Sequence, residues 1–119
     1  MTIPLTIPSI EETDIALAVE VLRSKQLVQG KNVHLLEEQF SKLFNAPNSL
    51  IVANGTASLH LALLAAGIGP GDKVIVPAFS YVATANVVEL IGAIPVFADI
   101  DIDTLNIDPA QLEKVMTPE

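Results

Sequence analysis

The sequence predicts an α/β domain in which a parallel sheet is covered by helices on both faces. Two observations carry this prediction. Beyond residue 48, short β-type runs alternate with helical ones, and those runs are continuous apolar stretches, as strands buried on both faces require. Residues 43–98 also hold only three charges, Asp72, Lys73 and Glu89, so the segment reads as the inside of something larger.

Taken in order, Ser9-Ile10-Glu11-Glu12 has the form of a capping box and predicts a helix start. Ile15, Val19 and Leu22 continue it at helical spacing, with Arg23 and Lys25 where cations favour the C-terminal dipole. Gln26 to Gly30 interrupts the pattern. Val33, Leu36, Phe40, Leu43 and Phe44 form a second stripe, with Glu38 and Lys42 paired at i,i+4, and Asn45-Ala46-Pro47-Asn48 ends it. Ser49 to Ala53 is then expected as a strand, Thr56 to Ala66 as a helix apolar almost all round, and Gly67-Ile68-Gly69-Pro70-Gly71 as a helix stop and turn. Lys73 to Val76 is a second strand closed by Pro77. Val82 to Ile91 is a helix stopped by Gly92, and Ile94 to Ala98 a third strand. Asp108-Pro109-Ala110-Gln111 supplies an N-cap, a proline at N1 and a glutamine at N3 for a last helix to about Met116.

Composition bounds the function. The 119 residues suffice for one domain, and the net charge of −8 with a pI near 4.5 opposes a nucleic-acid partner. Cysteine is absent and the only histidines are His34 and His60, which excludes disulfide scaffolds, thiolate metal sites and cysteine nucleophiles. Met1 to Pro8 lacks a basic, then apolar, leader pattern, and no apolar run approaches the roughly 18–20 residues that span a bilayer. A cytoplasmic protein with no membrane partner is expected. The mean hydropathy of +0.51 and 17% charged residues are too apolar for so small a domain.

Ligands of parallel α/β sheets collect beyond the carboxyl ends of the strands, and two loops there have unusual content. In Asn54-Gly55-Thr56-Ala57-Ser58 the glycine permits close approach, and the first helical N–H groups and the threonine hydroxyl suit a phosphate. A plain threonine cap explains the same residues. Pro77-Ala78-Phe79-Ser80-Tyr81 places two of the five aromatic residues at the sheet edge, where a planar cofactor stacks, unless both rings simply pack in the core. Asp99, Asp101 and Asp103 lack the glycine and terminal glutamate of a calcium loop and read as a solvated βα loop, so no metal site is expected. His60, inside a helix, reads as a packed or hydrogen-bonded residue.

Five blocks in this order resemble one family. They are Leu27-Val28-Gln29-Gly30; Asn54-Gly55-Thr56-Ala57-Ser58-Leu59-His60-Leu61-Ala62-Leu63; Gly67 through Pro77; Phe79-Ser80-Tyr81-Val82-Ala83-Thr84-Ala85-Asn86; and Pro95-Val96-Phe97-Ala98-Asp99-Ile100-Asp101. Together they are similar to the DegT/StrS-type sugar aminotransferases. The resemblance implies the amino-terminal part of the aspartate-aminotransferase-like (fold type I) large domain, a three-layer αβα arrangement, over residues 1–119 as an incomplete domain. It implies pyridoxal phosphate (PLP) as cofactor, a nucleotide-linked keto sugar as substrate, glutamate as amino donor and a homodimer at full length. It also assigns Gly55, Thr56 and Ala57 to the cofactor phosphate and Tyr81 to the face of the pyridine ring. Phe79 is expected to remain packing, and Gln29 and Gly30 lie in a loop that sits near the active site in such enzymes.

The family's Schiff-base lysine, and the aspartate that pairs with the pyridine nitrogen, lie beyond the last residue, so no catalytic residue is assigned within the chain. Lys73 begins a strand at the opposite edge of the sheet. Lys25, Lys42 and Lys114 are helix-end or helix-face charges, and Lys31 is a loop residue. The chain reaches Thr117-Pro118-Glu119 where a relative passes into its next strand, and is expected to be inactive alone. Two alternatives accompany the aminotransferase: a dehydratase of the same family, with histidine for the lysine, and a non-catalytic truncated product. A small nucleotide-binding module is disfavoured, because no glycine fingerprint follows the first strand.

Overall fold

A computed structural model describes Ile3, Pro4 and residues 6–116, which form two compact units, residues 1–51 and 52–119. The expected passage into a further strand at Thr117-Pro118-Glu119 lies outside the described residues.

The first unit carries α1 (Glu12–Ser24) and α2 (Lys31–Leu43). The capping box predicted at Ser9 forms two residues later. The Glu11 N–H donates to the Asp14 carboxylate at 2.9 Å, and the Asp14 N–H donates to the Glu11 carbonyl at 3.0 Å. The sequence offers acidic N3 partners at both registers, and the later one wins. α1 ends on Lys25 in the left-handed region, φ 59°. α2 starts from Gly30, so Lys31 opens a helix and is not the loop residue expected. Lys42 and Glu38 pair at 4.0 Å, as their spacing predicts. No residue of α1 or α2 is buried.

Ser49 to Ala53 does not form the predicted strand. One of its would-be ladder donors is taken by a side chain instead. The Ile51 N–H donates to the Glu37 carboxylate at 3.1 Å, and the Ser49 hydroxyl donates to the Glu37 backbone carbonyl and meets the Ser41 hydroxyl at 3.0 Å.

The second unit runs α3 (Gly55–Ala65), β1 (Lys73–Pro77), α4 (Ala83–Leu90), β2 (Ile94–Ala98) and α5 (Pro109–Val115). β1 and β2 pair in parallel from Lys73↔Ile94 to Pro77↔Ala98, so two of the three predicted strands form among the described residues. Pro95 has no N–H to offer a further neighbour, which suits β2 to an edge. Val76, Val88 and Ala93 make the buried core, with Leu63, Ile68, Val74, Ala85 and Ile91 packed around it. Gly92 is required twice over: its φ is +79°, and a Cβ there would lie 3.1 Å from the Pro70 ring. α5 begins as its motif predicts, with the Asp108 carboxylate accepting the Ala110 N–H at 2.9 Å.

Candidate functional site

The carboxyl edge of β1 is where chemistry-bearing residues gather. α3 has 11 residues and β1 has five, and at about 1.5 Å and about 3.3 Å per residue each is about 16 Å long. A short turn reverses the chain between them. Leu59, Ala62 and Leu63 of α3 then line one cleft with Val74, Ile75 and Val76 of β1 and with Thr84 of α4. The first turn of α3 therefore comes level with the end of β1, on the same edge as the loop that carries Tyr81.

The start of α3 is more specific than its sequence suggested. Its N-cap is Asn54, not Thr56: the Asn54 carboxamide oxygen accepts the Ala57 N–H at 2.9 Å, and the Asn54 carbonyl accepts the Ser58 N–H at 3.1 Å. The plain threonine cap is thereby excluded. Ala57, which the resemblance assigned to the phosphate, is half-buried with its N–H committed to the Asn54 cap, so that donor is not open to a ligand. The Gly55 and Thr56 N–H groups and the Thr56 hydroxyl make no hydrogen bond among the described residues, and both residues are exposed. A Cβ at Gly55 would meet nothing within 4 Å, so neither packing nor backbone conformation demands glycine there. What its missing side chain leaves open is a path for a ligand to reach the backbone N–H. These donors suit a phosphate at the positive end of a helix dipole.

On the neighbouring loop the Ala78 N–H donates to the Ala98 carbonyl at 2.8 Å and extends the ladder one rung past β1. The chain then turns outward. Tyr81 is 78% exposed, so it is not core filler. Phe79, expected as packing, is 67% exposed as well: Pro77 and Ala78 carry the strand past the core before the ring is reached. Gln29 and Gly30 belong to the first unit, and Gly30 lines a cavity of about 230 Å³ with Glu20, Val28 and Val33.

Lys73 opens β1 at the edge away from Tyr81, and Lys114 lies on α5, bonded to Gln111 at 3.0 Å. Asp99 to Asp108 closes on itself through an Ile100↔Ile107 bridge, and Asp101 accepts the Asp103 and Thr104 N–H groups at 3.0 and 2.8 Å. Those bonds, that from the Thr104 backbone foremost, hold the Asp101 carboxyl below its ordinary value. Among the described residues no group of histidine and acidic side chains is arranged to hold a metal. None of the helices is long and apolar enough to cross a membrane. Sequence reasoning missed Asn54 as a cap and Thr84 as a loop anchor. An asparagine before Gly-Thr and a Ser-x-x-x-Thr spacing at a helix start were the available signals.

The fold defines a class, the amino-terminal part of a fold-type I aminotransferase-like domain. The chain belongs to the DegT/DnrJ/EryC1/StrS aminotransferase family, which it matches over residues 8–119. It is 42% identical over 115 residues to the UDP-4-amino-4-deoxy-L-arabinose–oxoglutarate aminotransferase of Shewanella sediminis (strain HAW-EB3), covering 97% of this chain and 30% of that protein. Spr1654 from Streptococcus pneumoniae, assigned as a sugar aminotransferase and solved in PLP- and PMP-forms, superimposes in its PLP-form with a TM-score of 0.90. Its identity is 38% over 98% of this chain and 30% of its own. The E. coli GDP-4-keto-6-deoxy-D-mannose-3-dehydratase with bound hydrated PLP follows at 31% identity and a TM-score of 0.86, over 97% of this chain and 31% of its own. The chain thus spans about 30% of the length of the relatives it matches.

Proposed function

We propose that these residues form the cofactor-holding segment of a PLP-dependent enzyme that transfers an amino group from glutamate to a nucleotide-linked keto sugar. The observation that carries this reading is the pairing, at one sheet edge, of unengaged donors at Gly55 and Thr56 with the exposed Tyr81 ring. In this reading the Gly55 and Thr56 N–H groups and the Thr56 hydroxyl hold the phosphate, the Ala57 N–H is excluded because Asn54 takes it, and Tyr81 lies against the pyridine ring. The bound cofactor supplies the electron sink for transamination. The chain's own residues bind it and fix its plane. The Schiff-base lysine is supplied by the rest of the whole protein, and this segment is inactive alone.

The nucleotide-sugar substrate and the glutamate/oxoglutarate pair are supported by the Shewanella relative, whose name specifies a UDP-linked amino sugar and oxoglutarate. A homodimer at full length is the assembly that the family resemblance implies. The dehydratase reading retains support from the E. coli neighbour.

Two experiments test the proposal. The whole protein is incubated with PLP, glutamate and UDP- or GDP-linked 4-keto sugars, and products are followed by mass spectrometry. Amino sugar and 2-oxoglutarate in equal amounts are expected; a deoxygenated keto sugar with no amino sugar would replace the aminotransferase by the dehydratase. Separately, PLP is titrated into the apo protein. Thr56→Val removes a charge-assisted hydrogen bond of ~1.5–3 kcal/mol and should weaken binding by about one to two orders of magnitude. Tyr81→Ala should lower affinity and turnover, and Tyr81→Phe should be mild. Unchanged dissociation constants for Thr56→Val and Tyr81→Ala would end the site assignment.

A further inference from the structure

The loop that presents Tyr81 has no apolar anchor of its own, since Phe79, Ser80, Tyr81 and Val82 are all exposed. An aromatic ring on such a loop samples many orientations unless its backbone is held from outside. Four hydrogen bonds tie residues 80–82 to the start of α4: the Val82 carbonyl accepts the Ala85 and Asn86 N–H groups at 3.2 and 3.1 Å, and the two bonds at Ser80 and Tyr81 go to Thr84. The Thr84 N–H donates to the Tyr81 carbonyl at 2.9 Å, and the Thr84 hydroxyl meets the Ser80 hydroxyl at 2.8 Å. Thr84 is itself firmly placed. It sits in the first turn of α4 beside buried Ala83, one turn from buried Val87 and Val88, and is half-buried in the cleft shared with Leu59 and Val76.

We infer that Thr84, acting through Ser80 and the Tyr81 backbone, is the positioning residue that sets the Tyr81 ring against the cofactor. The inference rests on the proposed PLP site. A threonine at a helix start often bonds a nearby hydroxyl for local reasons alone. What distinguishes this one is that its N–H bonds the carbonyl of the aromatic residue while its hydroxyl bonds the residue before it, so one hydroxyl pair adds a side-chain tie beside the backbone bond.

The test uses the whole protein with Thr84→Val, which keeps the branched shape and removes the hydroxyl, together with Thr84→Ser, Ser80→Ala and Tyr81→Ala. Three quantities are read: the visible circular dichroism of bound PLP, PLP affinity, and melting of the apo form. Thr84→Val and Ser80→Ala should weaken PLP binding about three- to tenfold, as loss of one neutral hydrogen bond does, and reduce the cofactor's ellipticity. Thr84→Ser should restore both. Wild-type ellipticity and affinity in Thr84→Val, or a Thr84→Ser variant as impaired as Thr84→Val, would overturn the inference. So would losses that merely follow a lowered apo melting temperature. If Tyr81→Ala loses affinity while Thr84→Val does not, only the role of Thr84 fails. Should Tyr81→Ala also bind normally, the site reading fails and this inference goes with it.

Discussion

Residues 1–51 carry two 13-residue helices without a buried side chain, whereas residues 52–119 gather Val76, Ala83, Val87, Val88, Ala93 and Ala98 to 8% exposure or less. The first unit is tied by polar contacts around Glu37; the second is held by apolar packing between α3, α4 and the strands. Magnitudes explain why this matters. Burying one valine is worth about 1.5–3 kcal/mol, while a partly exposed hydrogen bond nets about 0.5–1.5 kcal/mol. The loops of the proposed site both spring from the unit with the core, which gives a half-exposed constellation a rigid base.

Four comparisons sharpen that contrast, the first three read by amide hydrogen exchange on the chain and the last by an amide resonance. The largest effect is expected from Val88→Asp, which places an unpaired charge where the native side chain is 1% exposed. It should cost several kcal/mol and strip protection from β1, α4 and β2. Leu17→Asp, at a position 58% exposed in the first unit, should stay within about 0.5 kcal/mol. Equal effects of the two would erase the distinction between the units.

Next comes Glu37→Ala. The Glu37 carboxylate accepts the Ile51 N–H at 3.1 Å and faces the His34 Nδ1 at 3.3 Å, so its removal should cost about 1–2 kcal/mol and speed Ile51 exchange about tenfold, leaving Val76 unchanged. Unchanged exchange at Ile51, or equal acceleration at Ile51 and Val76, would show that Glu37 does not organise its unit. Asn54→Ala should remove a cap worth ~1 kcal/mol and fray the first turn of α3, with Asn54→Ser largely restoring it. If Ala57 stays equally protected in Asn54→Ala, Asn54 is not the cap.

The smallest effect is a pH response. The Asp101 carboxyl titrates below its ordinary 3.8 because the Thr104 N–H and hydroxyl and the Asp103 N–H bond its charged form. A depressed folded-state value means its stabilisation is complete above 3.8 and is lost as pH falls through the lower folded value. The Thr104 amide resonance should therefore keep its native position until below pH 3.8 and then move. A shift above that pH would show that the turn is not held by this carboxylate.

Elements whose signals are local were legible in the chain itself. Asp108-Pro109 opens α5, Gly92 stops α4 with a left-handed backbone, and β1 and β2 fall where continuous apolar runs predict. Family membership was readable too, because five short blocks in fixed order are a property of sequence alone. Gly55, Thr56, Ala57 and Tyr81 were assigned to the cofactor only through that resemblance, and the Ala57 N–H turns out to be taken by Asn54. Everything that depended on competition between partners was decided in three dimensions. Two overlapping capping boxes compete for one helix start, and Glu11 prevails over Ser9. The Ser49 to Ala53 run has strand composition, but a strand needs a ladder partner, and Glu37, 14 positions earlier, takes the Ile51 N–H. Asn54 rather than Thr56 caps α3, and this leaves the threonine hydroxyl unengaged. Whether Phe79 and Tyr81 pack or protrude depends on where the core ends relative to β1. Composition names the aromatic rings, and only packing says which way they face.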